Sequence, residues 1–316
     1  MSEVVTFGET MVMFSPEQSG PLRYVQSFQK KIAGSESNVA IGLVRLGHSC
    51  SWISRIGQDE FGQFILHEIR GEGVDTTGVI VDAQLPTGIM FKEVRSGRET
   101  KVYYYRKDSA ASRLCANDIK ASYFESAKLL HLTGINPALG TSCLEATQKA
   151  IQIARQNGML ISFDPNLRLK LWNKEKAREV LTALLPQVDI VLPGLDESQI
   201  LLGTLEPEQL LDEFLKLGVK TIALKMGTNG TWVATENARY KVATFEIEHV
   251  VDPIGAGDAF AAGFLSGILE GLPLEECGRM ANAMGAMAVT TVGDFEGLPD
   301  RRQLEAFFVC RKEILR

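Results

Sequence analysis

Apolar residues recur along this chain with two periods that alternate over most of its length. Short runs such as Val4-Val5-Thr6-Phe7, Cys50 to Ser54, Leu129 to Leu132, Met159 to Phe163, Asp189 to Leu192 and Thr221 to Lys225 have the apolar density of buried strands. Segments with apolar positions three and four apart lie between them: Glu36 to Leu46, Phe61 to Arg70, Ser142 to Asn157, Lys174 to Leu185, Asp196 to Leu202 and Pro207 to Leu217. Gly47 and Gly71 stop the first two, and Ser142 with Glu145 has the spacing of a capping box. A strand followed by an amphipathic helix, repeated, predicts a mostly parallel sheet covered on both faces. Ligands then bind at the carboxyl ends of its strands.

The rhythm breaks between Val79 and Arg106, where no helix intervenes. Thr87 to Val94 and Thr100 to Arg106 are β-rich runs around Ser96-Gly97-Arg98, a hairpin signal. They predict a small sheet, its strands drawn from about 11–32 and 79–106, placed as a lid. After Lys225 a glycine turn leads into Thr231 to Ala234 and then Arg239 to Phe245. Helices over Asp258 to Leu269, about Leu274 to Thr290, and Arg301 to Leu315 complete the reading, and with no repeat or low-complexity linker, 1–316 reads as one α/β domain.

Chemistry enters most plainly at Asp252-Pro253-Ile254-Gly255-Ala256-Gly257-Asp258. Pro253 discourages helix before it, the glycines permit a tight turn, and the apolar positions after Asp258 recur at helical spacing. Gly255, Ala256 and Gly257 should therefore present free N–H groups at the positive end of a helix, where they can hold the charge of a phosphoryl group in flight. Asp258, in the first turn, is placed to accept a proton from an attacking hydroxyl. An acid capping a helix after a glycine turn is the plainer alternative. Strand ends add to the phosphate reading: Asp164-Pro165-Asn166-Leu167-Arg168, Pro193 to Glu197 and Lys225 to Gly230 are polar segments that each follow a predicted strand.

Composition narrows the partners. A net charge of −6 over 316 residues, with lysines and arginines spread singly, offers no basic face to nucleic acid. Five cysteines without Cys-x-x-Cys spacing and four histidines without a ligand pattern predict neither a disulfide framework nor a zinc site. The start of the chain has acids at Glu3 and Glu9 and no basic lead, and no apolar run reaches the length of a membrane span, so a cytoplasmic protein is expected. No Gly-x-x-x-x-Gly-Lys-Ser/Thr is present, and Phe260 stands where the dinucleotide fingerprint needs its third glycine.

On two anchors, Asp252 to Asp258 and the Gly34 to Ala40 stretch ending in Asn-Val-Ala, the chain resembles the ribokinase-like (PfkB) carbohydrate kinases over its length. The resemblance implies a three-layer α/β sandwich with a mostly parallel central sheet and a β-lid, with ATP and Mg2+ as cofactors and a monovalent cation as a further candidate. It makes Asp258 the base and Gly255, Ala256 and Gly257 the anion hole. The nucleotide would be held by Lys225, Met226, Gly227, Thr228, Asn229 and Gly230, with Asn282 in the adenine wall and Asn166 and Arg168 nearby. Glu197 would hold the metal through water, although Gly194 replaces the Asn usual in that frame.

The run Tyr103 to Ala110 together with Arg168 resembles the 2-keto-3-deoxygluconate kinases within the family. Arginine forks suit the carboxylate of a sugar acid. The implied sugar contacts are Gly34, Ser35, Glu36, Ser37, Asn38, Met90, Tyr104, Tyr105, Arg106, Arg168, Asp258 and Asp294. A homo-oligomer joined through the lid is expected. A fructokinase-like enzyme on a neutral sugar and a sugar sensor without catalysis are the alternatives.

Overall fold

The computed structural model describes residues 2–95 and 100–314, with side chains to residue 310; the Ser96-Gly97-Arg98 turn lies outside them. Strand β1 (Val4–Phe7) is followed by β2 (Met11–Pro16), β3 (Phe28–Ala33), α1 (Ser35–Arg45), β4 (Cys50–Gly57), α2 (Glu60–Gly71) and β5 (Val79–Asp82). Next come β6 (Ile89–Val94), β7 (Thr100–Tyr105), β8 (Leu129–Thr133), α3 (Ile135–Ala138), α4 (Thr141–Gln156), β9 (Leu160–Asp164) and α5 (Lys174–Leu184). The chain continues through β10 (Ile190–Val191), α6 (Leu195–Leu202), α7 (Pro207–Lys216), β11 (Thr221–Lys225), β12 (Thr231–Ala234) and β13 (Arg239–Val242). Helices α8 (Ala256–Leu269), α9 (Leu274–Ala288) and α10 (Arg301–Ile314) end it.

Among the described residues the large sheet runs β13-β12-β11-β10-β9-β8-β1-β4-β5, parallel except for β12 and β13. Its strands alternate between two apolar layers, which is why both their faces are apolar in the sequence. Val4, Trp52 and Leu129 join α1, α2, α8 and α9 on one side; Val5, Ile53 and Leu130 join α4, α5 and α7 on the other. After β1 the chain builds outward through β4 and β5, then returns to β8 on the opposite side of β1. The β1/β8 pair is thus the topological switch point, and the crevice beyond its carboxyl ends is the default ligand site.

The small sheet has the order β3-β2-β6-β7. The predicted boundary near 79 requires correction: β5 pairs in parallel with β4, Ser54 opposite Val79, at the edge of the large sheet. A short strand right after an amphipathic helix completes a crossover, and that geometry returns it beside β4. The small sheet therefore comprises residues 11–16, 28–33, 89–94 and 100–105.

Helix α8 is apolar on nearly all sides and is buried between α1 and α9. Close approach is allowed by small residues: a Cβ on Gly263 would sit 2.8 Å from Met284 Cγ and 3.0 Å from the Met280 carbonyl oxygen. Gly263→Ala should accordingly lower unfolding free energy by about 1–3 kcal/mol, although alanine is the better helix former by about 1 kcal/mol. Urea denaturation checks the sign.

Candidate active site

The N-termini of α1 and α8 meet at the crevice, and their first turns carry the central polar cluster. Gly255 caps α8 in the left-handed region at φ 80°, and a Cβ there would collide with the Asp294 carbonyl oxygen, so only glycine lets the turn close against this segment. Asp258 is buried one turn in. Its Oδ1 accepts from Ser35 Oγ at 2.5 Å and its Oδ2 from Asn38 Nδ2 at 2.8 Å. The same Asn38 amide donates to Asp294 Oδ2 at 3.1 Å, and Asn166 Nδ2 donates to Ser35 Oγ at 2.8 Å. Asn166 itself takes a positive φ of 37° at the turn after β9.

Burial raises the Asp258 carboxyl above its ordinary range, against the hydrogen bonds from Ser35 and Asn38. Burial, and next to it the charge of Asp258, push Asp294 up to about 7. Glu36 is also raised to about 7 by its burial, although Thr133 Oγ1 donates to it at 2.6 Å.

A cavity of about 280 Å3 opens over Asp258 and is lined by Gly34, Ser35, Met90, Tyr104, Arg106, Arg168, Gly255 and Asp294. These predicted sugar-side residues thus share one space, small but near the range of small-molecule sites. Four others do not line it. Asn38 sits beneath the floor, bonded to Asp258 and Asp294. Glu36 lies fully buried against Gly8, whose missing Cβ leaves room for the carboxylate. Ser37 Oγ donates to the Gly34 carbonyl at 3.0 Å and receives the Thr10 hydroxyl at 2.8 Å. Tyr105 requires correction as a sugar contact: strand alternation turns it to the outer face of the small sheet, 64% exposed, its ring against Phe91.

Arg106 reaches the cavity already paired. Its Nε donates to Glu9 Oε2 at 2.6 Å, and Ser109 Oγ donates to the other Glu9 oxygen at 2.6 Å. Arg168 is exposed on the cavity rim and has no ion-pair partner among the described residues. Glu9, Val102 and Ile135 also line the space and were not anticipated. Glu9 had a readable signal, since it lies just past the carboxyl end of β1 as Asp164 lies at the carboxyl end of β9.

On the other side of the α8 N-terminus lies the loop after β11. Lys225 Nζ donates to Asp164 Oδ2 at 2.6 Å, and a Cβ on Gly257 would be 3.9 Å from that ammonium. Burial opposes its charge, but Asp164, Glu197 and Asp258 hold it above the usual lysine range. Met226 donates its backbone N–H to Gly230, closing a tight turn in which Gly227, Thr228 and Asn229 are exposed. Asn282 is placed differently from a free adenine contact: Thr231 Oγ1 donates to its Oδ1, and its Nδ2 donates to the carbonyls of Val242 and Ala243. It fastens α9 to β12 and to the end of β13.

Glu197 accepts from the Leu167 and Gly194 backbone N–H groups at 2.7 and 2.8 Å. It ties the Asp164 to Arg168 turn to the start of α6. No group of three or more His, Cys, Asp or Glu residues among those described forms a metal cage. The acids around Lys225, namely Asp164, Glu197 and Asp258, are oxygen donors of the kind magnesium takes when phosphates and water supply the rest of its shell. A larger cavity of about 450 Å3 lies by α5 and α6, lined by Lys174, Arg178 and Asp196, and contains none of the candidate residues.

The doubly covered sheet, the small sheet above its switch point and the acid at a glycine-capped helix are the parts of a sugar kinase. The pfkB family carbohydrate kinase model matches residues 1–301, and the chain belongs to that family. It is similar to 2-dehydro-3-deoxygluconokinase of Bacillus subtilis, 40% identical with 99% of this chain and 97% of the relative covered. It is similar also to 2-dehydro-3-deoxygluconokinase of Thermoproteus tenax, 38% identical with 96% and 94% covered. Among solved structures it matches a suggested ribokinase II of Escherichia coli in complex with ATP and Mg2+. The TM-score is 0.91 and identity 29%, covering 98% of this chain and 99% of that one. The fold is ribokinase-like, a three-layer sandwich with a small accessory β-sheet.

The coupled acids give a pH signature. A carboxyl whose folded value is raised binds its proton more tightly in the native state, so stability falls as pH rises from about 4 towards 7. Asp294→Asn should remove this loss, stabilising the protein at pH 8 by on the order of 3 kcal/mol and little at pH 4. Equal effects on Tm at both values would show that Asp294 carries no such shift.

Proposed function

We propose that this protein transfers the γ-phosphoryl group of ATP to the terminal hydroxyl of 2-dehydro-3-deoxy-D-gluconate, giving the 6-phosphate and ADP. The observation that carries the reading is Arg168, which has no ion-pair partner among the described residues, on the rim of a cavity whose floor is Asp258. A neutral sugar leaves that guanidinium unused, whereas a sugar acid supplies the carboxylate that its fork of donors fits. Two 2-dehydro-3-deoxygluconokinases among the relatives support the choice.

In this mechanism the sugar enters beneath the small sheet, its carboxylate towards Arg168 and Arg106 and its terminal hydroxyl towards Asp258. As the hydroxyl oxygen bonds to the γ-phosphorus, Asp258 takes the proton; the bond from phosphorus to the bridging oxygen breaks, and its electron pair leaves with ADP. The raised Asp258 is a better base than a solvated carboxylate, and Ser35 and Asn38 keep it oriented. The amides of Gly255, Ala256 and Gly257 meet the equatorial charge, and Lys225 holds the nucleotide phosphates from the opposite side. Magnesium, when bound, neutralises phosphate charge, and Glu197 would reach it through water. The loop 225–230 and the wall fastened by Asn282 would receive the rest of the nucleotide.

A second copy of the chain is the partner we propose for the outer face of the small sheet, where Tyr103 and Tyr105 are exposed. Tyr105→Glu should convert a dimer to a monomer in sedimentation; a wild-type monomer would remove the interface.

Activity is checked by ADP release with ATP and Mg2+, comparing the sugar acid with fructose and ribose at equal concentration. A strong preference for the sugar acid is expected, whereas a preference for fructose would keep the kinase and discard the substrate. Asp258→Asn should retain ATP binding and lose turnover at least 1,000-fold, on the order of a general base and more. Arg168→Ala should raise the KM for the sugar acid about 10-fold or more. Arg168 is a cleaner probe than Arg106, whose removal leaves Glu9 buried without its partner.

A further inference from the structure

One buried ion pair joins the small sheet to the phosphate loop. Lys92 lies on β6 two residues after Met90, so strand alternation gives both side chains the inner face. Its ammonium donates to Asp252 Oδ2 at 2.5 Å, and both residues are almost wholly buried, at 4% and 3% exposure. Asp252 is the first residue of the motif that ends in Asp258. Its Oδ1 accepts from the Ile254 N–H, and its Oδ2 accepts also from the Gly293 N–H, each at 3.3 Å. The backbone N–H groups of Val251 and Asp252 both donate to the Val289 carbonyl, and Gly255 packs on the Asp294 backbone. This one carboxylate therefore pins three segments: the small sheet, the turn that presents the Gly255 to Gly257 amides, and the stretch that carries Asp294. Lys31, on β3, adds a second tie from the same sheet, donating to the Val292 carbonyl at 2.9 Å.

A buried carboxylate without a counter-charge repels the negative charge that the neighbouring amides are aimed to receive. Lys92 cancels it with a covalently tethered cation. We infer that Lys92 is a positioning residue: through Asp252 its ammonium serves as the built-in cation of the phosphate loop, and it couples that loop to the seating of the small sheet. The loop then needs no monovalent ion from solution. The inference rests on the kinase reading, and removal of the ammonium should impair transfer more than binding of either substrate.

The test uses the full chain, ADP release and a panel of chloride salts. Wild-type turnover should be equal, within twofold, in potassium, ammonium and choline chloride; a requirement for potassium or ammonium overturns the built-in cation. Lys92→Ala should lower kcat about 100-fold while both KM values stay within threefold, and ammonium or potassium should restore at least 10-fold where choline does not. Lys92→Met, which fills the space without charge, should lose activity equally and regain none. Near-normal kcat in Lys92→Ala, or a loss that no small cation reverses, overturns the role. Should Lys92→Ala fail to fold, the wild-type salt comparison still decides. A wild-type protein that releases no ADP with any sugar fails the kinase reading itself, a result distinct from all of these.

Discussion

The arrangement depends on a carboxylate held where the N-termini of two helices converge. Placing Asp258 in a buried position costs free energy unless donors replace its water. Here the donors are Ser35 and Asn38, from the first turn of α1, and the positive end of α8 itself. The compensation is incomplete, which leaves the carboxyl with a raised affinity for protons. A residue so placed suits the transient capture of one.

That requirement propagates outward. The two helices must approach closely, so their contact is built from small residues: a Cβ on Gly42 of α1 would come within 2.7 Å of Ala262 Cβ on α8. Gly255 must take a left-handed backbone to press its turn on the Asp294 segment. Asn38 then bridges Asp258 to Asp294, and Asp252 fixes the approach to the turn from behind. Negative groups accumulate in this space, and Lys92, Arg106 and Lys225 each balance one of them, leaving Arg168 at the rim for a ligand. The division of labour explains why a protein of net acidic charge can present a positive point at the rim of the crevice.

The small sheet has two chemically different faces. Its inner face places Met90, Lys92 and Tyr104 towards the crevice, and its outer face shows Tyr103 and Tyr105. Through Lys92, Lys31 and Lys170, which donates to the Val102 carbonyl, the sheet is tied to the site by three lysines from different segments. It forms one wall of the crevice.

The sequence by itself determined the alternation of strands and helices, the parallel sheet, the glycine-capped α8 and the place of Asp258 on it, because these follow from local periodicity and backbone freedom. The polar segments after three successive strands pointed to the same edge only when taken together, and Gly34 to Asn38 was marked by the family resemblance, because alone it reads as an ordinary Ser-capped helix start. The tertiary structure alone decided which charges are spent on one another. Glu9 and Arg106 are 97 residues apart, Lys92 and Asp252 are 160 apart, and no local pattern announces either pair. It also decided that Tyr105 faces outward while Tyr104 faces in, because the register of β7 against β6 is set by pairing across the sheet. Edge strand β5 went to the large sheet for the same reason: periodicity identifies a strand, but only the contest among possible partners chooses its neighbour.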